Sequence, residues 1–356
     1  MYCDGDDNRD EGAGSRLTGK TVAVFSLGGT IAMTTDPATG GVVPALSAAE
    51  LLAAVPSLAT SGIELDVHDF RRLPGASLTF EDLAALSEAL DAAFATGAHG
   101  AVVIQGTDTI EESAFFLDLR HRGSEPVVVT GAMRNPTMPG ADGPANLYAS
   151  VLAAASDELR DVGVVVLLGD EVHAARTVRK SHTTSPAAFT SPSSGPLALL
   201  AENRIRLNSA LPPRHAMPNP TNPTATVRIG LYTVTLGDDG EQLVLLPGHI
   251  DGLVVAAFGV GHVPERLVAT LEQLAQDIPV VLASRIGNGP VLTGTYSFPG
   301  SEKDLRSRGL IGAGALDANK ARLLLHLLCS QGLKQEAIKA VFAQVADQEP
   351  YNEGDR

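Results

Sequence analysis

Cysteine, tryptophan and long hydrophobic runs are scarce or absent in this chain. Its 356 residues include 2 cysteines and no tryptophan, so one chain cannot build a disulfide framework or a cysteine-based metal site. Scarce cysteine favours a reducing, cytoplasmic location. The apolar runs have the length of buried strands and are shorter than the roughly 18 residues of a membrane span. Because Met1 to Arg16 is acidic and lacks an apolar core, we expect neither a secretory signal nor membrane association.

Basic residues are also fewer than acidic ones. The chain has 26 Lys and Arg against 41 Asp and Glu, which gives a formal net charge of −15. This excess of negative charge opposes attraction to a phosphate backbone or an anionic membrane, so we expect no nucleic-acid partner. Hydrophobic residues make up 44% of the chain, which is enough apolar surface for a folded core.

Apolar runs alternate with helical patterns along the chain. Thr21 to Leu27 is a continuous β-rich run that stops at paired glycines, and Gly100 to Gln105 and Glu125 to Thr130 also end at glycine. Between the first two runs, Thr79 to Thr96 has large apolar residues at helical spacing after a capping box. This alternation predicts an α/β fold of two domains, the larger N-terminal one with a doubly wound, mostly parallel sheet.

A proline-rich segment divides the chain in two. Residues 209–226 contain five prolines and almost no aliphatic side chains, which is typical of a linker. We therefore predict a disordered acidic tail over 1–19, an N-terminal catalytic α/β domain over 20–208, a linker over 209–226 and a smaller C-terminal α/β domain over 227–350.

The candidate motifs for nucleotide and metal binding lack the surrounding elements or the spacing that such sites need. Gly14 to Thr21 matches the phosphate-loop pattern, but a strand follows it, whereas a phosphate loop follows a strand and opens a helix. Gly259-Val-Gly261 lacks the third glycine of a dinucleotide-binding turn. The 9 histidines form no pair at helical ligand spacing and no group with carboxylates. We therefore predict no cofactor and no metal.

Hydroxyl and charged side chains follow the predicted strands at their carboxyl ends. Thr30 follows the first strand, and Thr107 and Asp108 follow the second. Since the carboxyl ends of parallel strands border the ligand crevice of an open α/β sheet, these side chains should meet there. A threonine can act as a nucleophile when a base takes its proton, and Lys180 is the candidate base. The alternative is that these threonines only satisfy turn amides.

Five ordered motifs resemble those of the bacterial-type L-asparaginases and glutaminase-asparaginases. They are Leu27-Gly-Gly-Thr-Ile-Ala32, Gly106-Thr-Asp-Thr-Ile-Glu-Glu112, Val129-Thr-Gly-Ala-Met-Arg134, Asp142-Gly-Pro-Ala-Asn-Leu147 and Lys180-Ser-His-Thr-Thr184. The resemblance runs from about residue 20 to 345 and is strongest in the first predicted domain. It implies hydrolysis of L-asparagine to L-aspartate and ammonia through a covalent acyl-enzyme, without metal or cofactor.

The resemblance also implies roles for individual residues. Thr30 would be the first nucleophile. Thr107, Asp108 and Lys180 would form a second catalytic group, in which the lysine raises the basicity of Thr107 and the aspartate also binds the α-ammonium of the substrate. The backbone at Ala132 would lie near the amide that is cleaved.

The chain departs from the family pattern at three places. Residues 40–44 contain valines where the mobile loop of the family carries a tyrosine that assists the first threonine. Where the family presents a polar pair to the substrate α-carboxylate, this chain has Ala76 and Ser77, and Ser77 is the candidate replacement donor. Candidates for the acid that a neighbouring subunit supplies in many secreted members are Tyr296 and Glu302.

Three interpretations of function stay open. The first is a cytoplasmic L-asparaginase, or a glutaminase-asparaginase of broader range, that acts on a small amino-acid amide. For this class the resemblance implies a homo-oligomer, either a dimer or a tetramer of close dimers. The second is the related subunit that releases ammonia from glutamine to amidate a charged transfer RNA, which normally carries an added amino-terminal domain. The third is a weakened relative that binds an amino acid without turnover.

Overall fold

The chain forms two compact units, Met1–Ala216 and Met217–Arg356. The computed structural model describes residues 17–29, 31, 33–35, 42–44, 46–209 and 227–346. The predicted tail and linker therefore lie almost wholly outside the described residues, and the predicted domain boundaries stay a prediction. No helix within the described ranges is long and apolar enough to cross a membrane.

A sheet of eight strands forms the centre of the first unit. The strands of this unit are β1 (Thr21–Ser26), β2 (Met33–Thr35), β3 (Val42–Pro44), β4 (Glu64–Asp69), β5 (Gly100–Ile104), β6 (Val127–Thr130), β7 (Val164–Leu168), β8 (Glu171–Ala174), β9 (Arg179–Lys180), β10 (Phe189–Thr190), β11 (Ala198–Ala201) and β12 (Arg204–Leu207). The order in the sheet is β12-β11-β8-β7-β6-β5-β1-β4, and β2 pairs with β3 and β9 with β10 outside it. Strands β4, β1, β5, β6 and β7 are parallel, whereas β8, β11 and β12 extend one edge in antiparallel pairs. The predicted mostly parallel sheet is confirmed.

The order of the strands reverses at β1. The chain passes from β1 to β4 on one side, and then to β5, β6 and β7 on the other. In open α/β sheets the ligand crevice lies at such a reversal, outside the carboxyl ends of the strands. Here those ends are Ser26 of β1 and Ile104 of β5, so the crevice lies where the predicted catalytic threonines follow in sequence.

Helices cover both faces of this sheet. They are α1 (Ala48–Ala53), α2 (Phe80–Ala95), α3 (Ile110–Arg120) and α4 (Gly143–Ala154). On one face, Val24 of β1 lies in a core cluster with Leu147 of α4. On the other face, the next residue, Phe25, lies in a cluster with Leu86 of α2. Because both faces are buried, the central strands are continuous apolar runs without polar alternation.

A capping box fixes the start of α2. The Oγ1 of Thr79 accepts a hydrogen bond from the Asp82 amide at 3.2 Å, and Asp82 Oδ2 accepts one from the Thr79 amide at 3.1 Å. This exchange satisfies amides that the first helical turn leaves without a partner. The capping box is therefore present where the sequence predicts it.

The second unit contains a parallel sheet of four strands. Its elements are β13 (Ile229–Thr233), β14 (Gly252–Ala257), α5 (Glu265–Asp277), β15 (Val280–Ser284), α6 (Glu302–Ser307), β16 (Ile311–Gly312), α7 (Ala318–Ser330) and α8 (Gln335–Ala346). The strand order is β13-β14-β15-β16. The predicted smaller C-terminal α/β domain is confirmed.

Candidate active site

Three glycines meet at the carboxyl ends of β1 and β5. A Cβ on Gly29 would overlap the backbone of Gly106, and a Cβ on Gly75 would lie 2.8 Å from the Gly106 carbonyl oxygen. Gly29 also has φ +94°, a left-handed conformation that other L residues adopt at a cost. Three backbone segments therefore touch at this point, and no side chain fits between them.

Thr107, Asp108 and Lys180 form a hydrogen-bonded cluster at the same edge. The Nζ of Lys180 donates to Thr107 Oγ1 and to Asp108 Oδ1, and both distances are 3.0 Å. Thr107 is buried, whereas the side chains of Lys180 and Asp108 are 16% and 66% exposed. The amine therefore joins a buried hydroxyl to a carboxylate that is open to solvent. The structure brings together these three residues as the sequence predicts.

Each member of this cluster is held by an identifiable element. Thr107 and Asp108 lie in a single 3-10 turn between β5 and α3. Lys180 pairs with Phe189 across the β9–β10 ribbon, and its backbone amide donates to Glu111 Oε2 at 2.5 Å. Glu111 lies in the first turn of α3, where the sequence alone indicates only a favourable charge at a helix N-terminus. Sequence reasoning therefore missed Glu111 as an anchor for Lys180.

An open pocket lies over the exposed part of the cluster. Asp108 and Lys180 line it together with Ser181, His182 and Thr183. The Nδ1 of His182 accepts hydrogen bonds from the amides of Thr184 and Ser185, both at 3.0 Å. These two amides occupy Nδ1 and leave Nε2 as the ring nitrogen that can face a ligand. His182 is thus a second residue of this region whose role the sequence does not indicate.

The residues predicted to bind substrate surround the cluster on two sides. Ala76 and Ser77 are exposed in a 3-10 turn, Gly75–Ser77. Thr109 Oγ1 donates to the Gly75 carbonyl at 2.9 Å, which joins this turn to the one that holds Thr107. Ala132 is fully buried in the turn after β6. Thr30 lies outside the described residues, as do Gly40 and Gly41 of the predicted loop, so their placement stays a prediction.

Glu302 is a candidate for the acid that a neighbouring subunit supplies, but its carboxylate is hydrogen-bonded within its own loop. Its side chain is 0% exposed. Its Oε1 accepts from the amides of Thr295 and Tyr296, both at 2.8 Å, and its Oε2 lies 3.2 Å from His262 Nε2. Burial raises the pKa of the Glu302 carboxyl, but hydrogen bonds from backbone amides and from His262 outweigh it, so the pKa lies below its ordinary value. The carboxylate therefore stabilises the loop before α6.

The lysine of the phosphate-loop pattern has structural partners. Lys20 Nζ donates to the Ala155 carbonyl at 2.9 Å and to Asp157 Oδ1 at 2.7 Å. It therefore fastens the start of β1 to the segment after α4. Across the residues that the structure describes, no three or more His, Cys, Asp or Glu side chains form a group that could hold a metal ion.

Comparisons with known proteins cover most of the chain. The family model "Asparaginase, N-terminal" matches residues 21–213, and "Glutaminase/Asparaginase C-terminal domain" matches residues 228–342. The chain is 36% identical to a probable L-asparaginase of Deinococcus radiodurans over 333 aligned residues. The alignment covers 91% of this chain and 97% of that protein. It is 31% identical to a probable periplasmic L-asparaginase of Haemophilus influenzae over 90% and 92% of the two chains. A crystal structure of a probable cytoplasmic L-asparaginase from Campylobacter jejuni superimposes with a TM-score of 0.81 at 28% identity, over 91% of this chain and 99% of the other.

Proposed function

The chain belongs to the glutaminase/asparaginase family, and from this membership we propose that it is an L-asparaginase. It hydrolyses the side-chain amide of L-asparagine and releases L-aspartate and ammonia. The observation that carries the proposal is the position of the Lys180 amine, 3.0 Å from both Thr107 Oγ1 and Asp108 Oδ1. The similarity to proteins named as L-asparaginases over about nine-tenths of the chain supports it.

In the first proposed step, the hydroxyl oxygen of Thr30 attacks the amide carbon of the substrate side chain. A C–O bond forms and the C–N bond breaks, the departing nitrogen takes up the proton that the Thr30 hydroxyl gives up, and ammonia leaves. The substrate then remains as an aspartyl ester on Thr30. This role rests on the family motif Leu27 to Ala32, because Thr30 lies outside the described residues.

In the second proposed step, water hydrolyses this ester. The water oxygen bonds to the acyl carbon, the Thr30 oxygen leaves and takes up a proton given up by that water, and L-aspartate departs. We assign the proton transfers to Thr107 and Lys180, since an amine in hydrogen-bond contact with a hydroxyl is placed to exchange a proton with it. The exposed carboxylate of Asp108 is available to the substrate α-ammonium as well as to Lys180.

The remaining parts of the substrate have proposed partners on neighbouring turns. We assign the α-carboxylate to the Gly75–Ser77 turn, where the exposed Ser77 hydroxyl replaces the missing donor at Ala76. We assign the reacting amide to the backbone at Ala132. The hydrogen bond from Thr109 to Gly75 supports this arrangement, because it joins the Ser77 turn to the turn of Thr107.

Ammonia release by the purified protein, with L-asparagine and L-glutamine in parallel, tests the proposal. We expect saturable release from L-asparagine and its loss in both Thr30→Ala and Thr107→Ala while the circular dichroism spectrum is unchanged. Thr60→Ala is a matched control, since the exposed Thr60 hydroxyl donates only to the Ser57 carbonyl of its own turn. A preference for L-glutamine would change the assigned substrate and leave the proposed mechanism as it is. No release from either amide by folded protein would favour a binder of amino acids.

A homo-oligomer and a cytoplasmic location are further parts of this proposal. The second unit exposes large apolar side chains, among them Leu236 at 95% and Leu245 at 73%, and association would remove such surface from water. The scarcity of cysteine supports a reducing compartment, although one of the relatives above is named as periplasmic. Light scattering of the purified protein gives its mass, and fractionation of the cells that produce it gives its compartment. A monomer, or protein recovered outside the cytoplasm, contradicts the respective part.

A further inference from the structure

Two side chains, Asp142 and Asn146, hold the backbone turn that follows β6. Asp142 Oδ1 accepts from the Arg134 amide at 2.8 Å, and its Oδ2 accepts from the Met133 amide at 3.0 Å. Asn146 Nδ2 donates to the Gly131 carbonyl at 3.0 Å and to Asp142 Oδ2 at 3.1 Å. The pair therefore fastens the turn at three backbone positions.

Ala132 lies between these fastened positions. Within the ranges that the structure describes, no hydrogen bond joins its peptide N–H or carbonyl to another residue. The turn thus has bound backbone groups before and after Ala132, whereas the Ala132 N–H and carbonyl have no hydrogen-bond partner among the described residues. A buried peptide group without a protein partner is costly unless a ligand or water satisfies it.

Asn146 is itself fixed from a second side. It is 2% exposed, and its Oδ1 accepts from the amide of Gly169, which follows β7, at 3.0 Å. Both amide hydrogens and the amide oxygen of this side chain are therefore in use. A buried polar group whose partners are all present has one favoured orientation, so the network fixes the turn relative to the ends of β6 and β7.

The fastened turn lies directly against the catalytic cluster. A Cβ on Gly131 would lie 3.2 Å from Thr107 Cγ2 and 2.6 Å from the Gln105 carbonyl oxygen. A shift of the turn at Gly131 would therefore move Ala132 relative to the Thr107 hydroxyl. Neither Asp142 nor Asn146 contacts Thr107, Asp108 or Lys180 through any hydrogen bond among the described residues.

We infer that Asp142 and Asn146 are positioning residues for amide hydrolysis, an inference that rests on the proposed function. They hold the Ala132 backbone at the reacting amide without touching the substrate themselves. A displacement of about 1 Å at a reacting centre can cost about 100-fold in rate. The proposed partners of the α-ammonium and α-carboxylate lie on other turns, so loss of the network lowers kcat and leaves KM nearly unchanged.

Asp142→Asn tests this inference, because it keeps the size of the side chain and turns one acceptor oxygen into a donor that faces a backbone amide. We expect kcat for L-asparagine to fall about 10- to 100-fold and KM to change less than about threefold. Asp251→Asn is the matched control. Asp251 Oδ2 also accepts from a backbone amide, that of Arg228 at 2.8 Å, but it belongs to the second unit. Its loss should lower the melting temperature and leave kcat at the parent value.

The outcomes separate this inference from the function on which it rests. If the parent is active and Asp142→Asn keeps its kcat, or if Asp251→Asn loses as much kcat as Asp142→Asn, the inference is wrong and the proposed function stands. If Asp142→Asn does not fold, Asn146→Ser is measured instead and judged by the same two comparisons. A folded parent without turnover overturns the proposed function and this inference together.

Discussion

Gly29 lies so close to Gly106 that a Cβ on Gly29 would overlap the Gly106 nitrogen and Cα. The obstacle is backbone, so it cannot move aside by changing a rotamer. This contact brings the chain that leaves β1 against the chain that leaves β5. The spacing of the crevice at this point is therefore set by the absence of two side chains.

Gly29→Ala should abolish asparagine hydrolysis, because the added methyl group forces the ends of β1 and β5 apart. Gly97→Ala is the control: Gly97 also has a left-handed φ, +104°, but a Cβ there meets nothing within 4 Å. We expect Gly97→Ala to lose only about 1–2 kcal/mol of unfolding free energy through backbone strain and to keep its kcat. Steady-state kinetics and denaturant unfolding of both variants check this. Parent-like kcat in Gly29→Ala would contradict the close packing.

Lys180→Met should lower kcat by about 100- to 10,000-fold, the range for loss of a group that transfers protons. The methionine fills a similar space but cannot contact the Thr107 hydroxyl through an amine. Lys20→Met is the matched control, since Lys20 has a carboxylate and a carbonyl as partners away from this cluster. That control should lower the melting temperature and keep kcat. Equal losses of kcat in the two variants would contradict the assignment of proton transfer to Lys180.

Glu111→Gln should lower kcat about tenfold, because a neutral oxygen replaces the carboxylate that accepts from the Lys180 amide and charge-assisted bonds are roughly twice as strong as neutral ones. Glu265→Gln controls for the loss of an acid from a first helical turn, since Glu265 has that position in α5. Kinetic measurements on both variants check this. The role of Glu111 as an anchor is wrong if its variant matches the control.

His173 should make the protein less stable as the pH falls below about 6.5. Burial lowers the pKa of this imidazole, and the carboxylate of Glu171 only partly opposes the effect. Between the lowered pKa and the ordinary value the unfolded chain binds a proton that the folded chain does not, so stability rises with pH in that window and is lost as pH falls through it. Melting temperatures of the parent and of His173→Gln, measured from about pH 7 to about pH 5, should converge as the pH falls. A difference that does not vary with pH would contradict this.

The anchoring contacts of His173 explain why this titration bears on the site. Its Nδ1 lies 3.0 Å from Ser191 Oγ, and Thr177 Oγ1 donates to the same hydroxyl at 3.2 Å. Thr177 precedes β9 and Ser191 follows β10, so both lie at the open end of the antiparallel ribbon that carries Lys180. Protonation of His173 therefore acts on the end of the ribbon where its two strands meet the rest of the unit.

The central sheet was predictable because burial on both faces leaves a simple signal. Strands β1, β5 and β6 are continuous apolar runs, and the sequence places each within about two residues of its observed bounds. The edge strand β4 was missed, since its sequence Glu-Leu-Asp-Val-His-Asp is mostly exposed and charged. The antiparallel strands β8, β11 and β12 were missed because their pairing is decided by neighbours distant in sequence, not by a local pattern.

The candidate site likewise contains residues that the sequence predicts and residues that only the structure reveals. Thr107, Asp108 and Lys180 could be named from strand ends and family motifs, and the structure brings them together. Glu111 could not be given its contact, because the partner amide is 69 residues further along the chain. Asp142 and Asn146 stand in a motif that the sequence identifies, yet the motif does not reveal that they bind the turn at Ala132.

The distance along the chain between Lys180 and the turn of Thr107 has a consequence for folding. Their contacts close a loop of 72 and 73 residues, and the segment between them includes β6, α4, β7 and β8. Closing so long a loop costs entropy that only the packing of those elements repays. Regain of turnover after dilution from denaturant therefore reports the stage at which β9 joins the turn of Thr107. A nascent chain that ends before β9 lacks the proposed proton-transfer group, however well its earlier strands have paired.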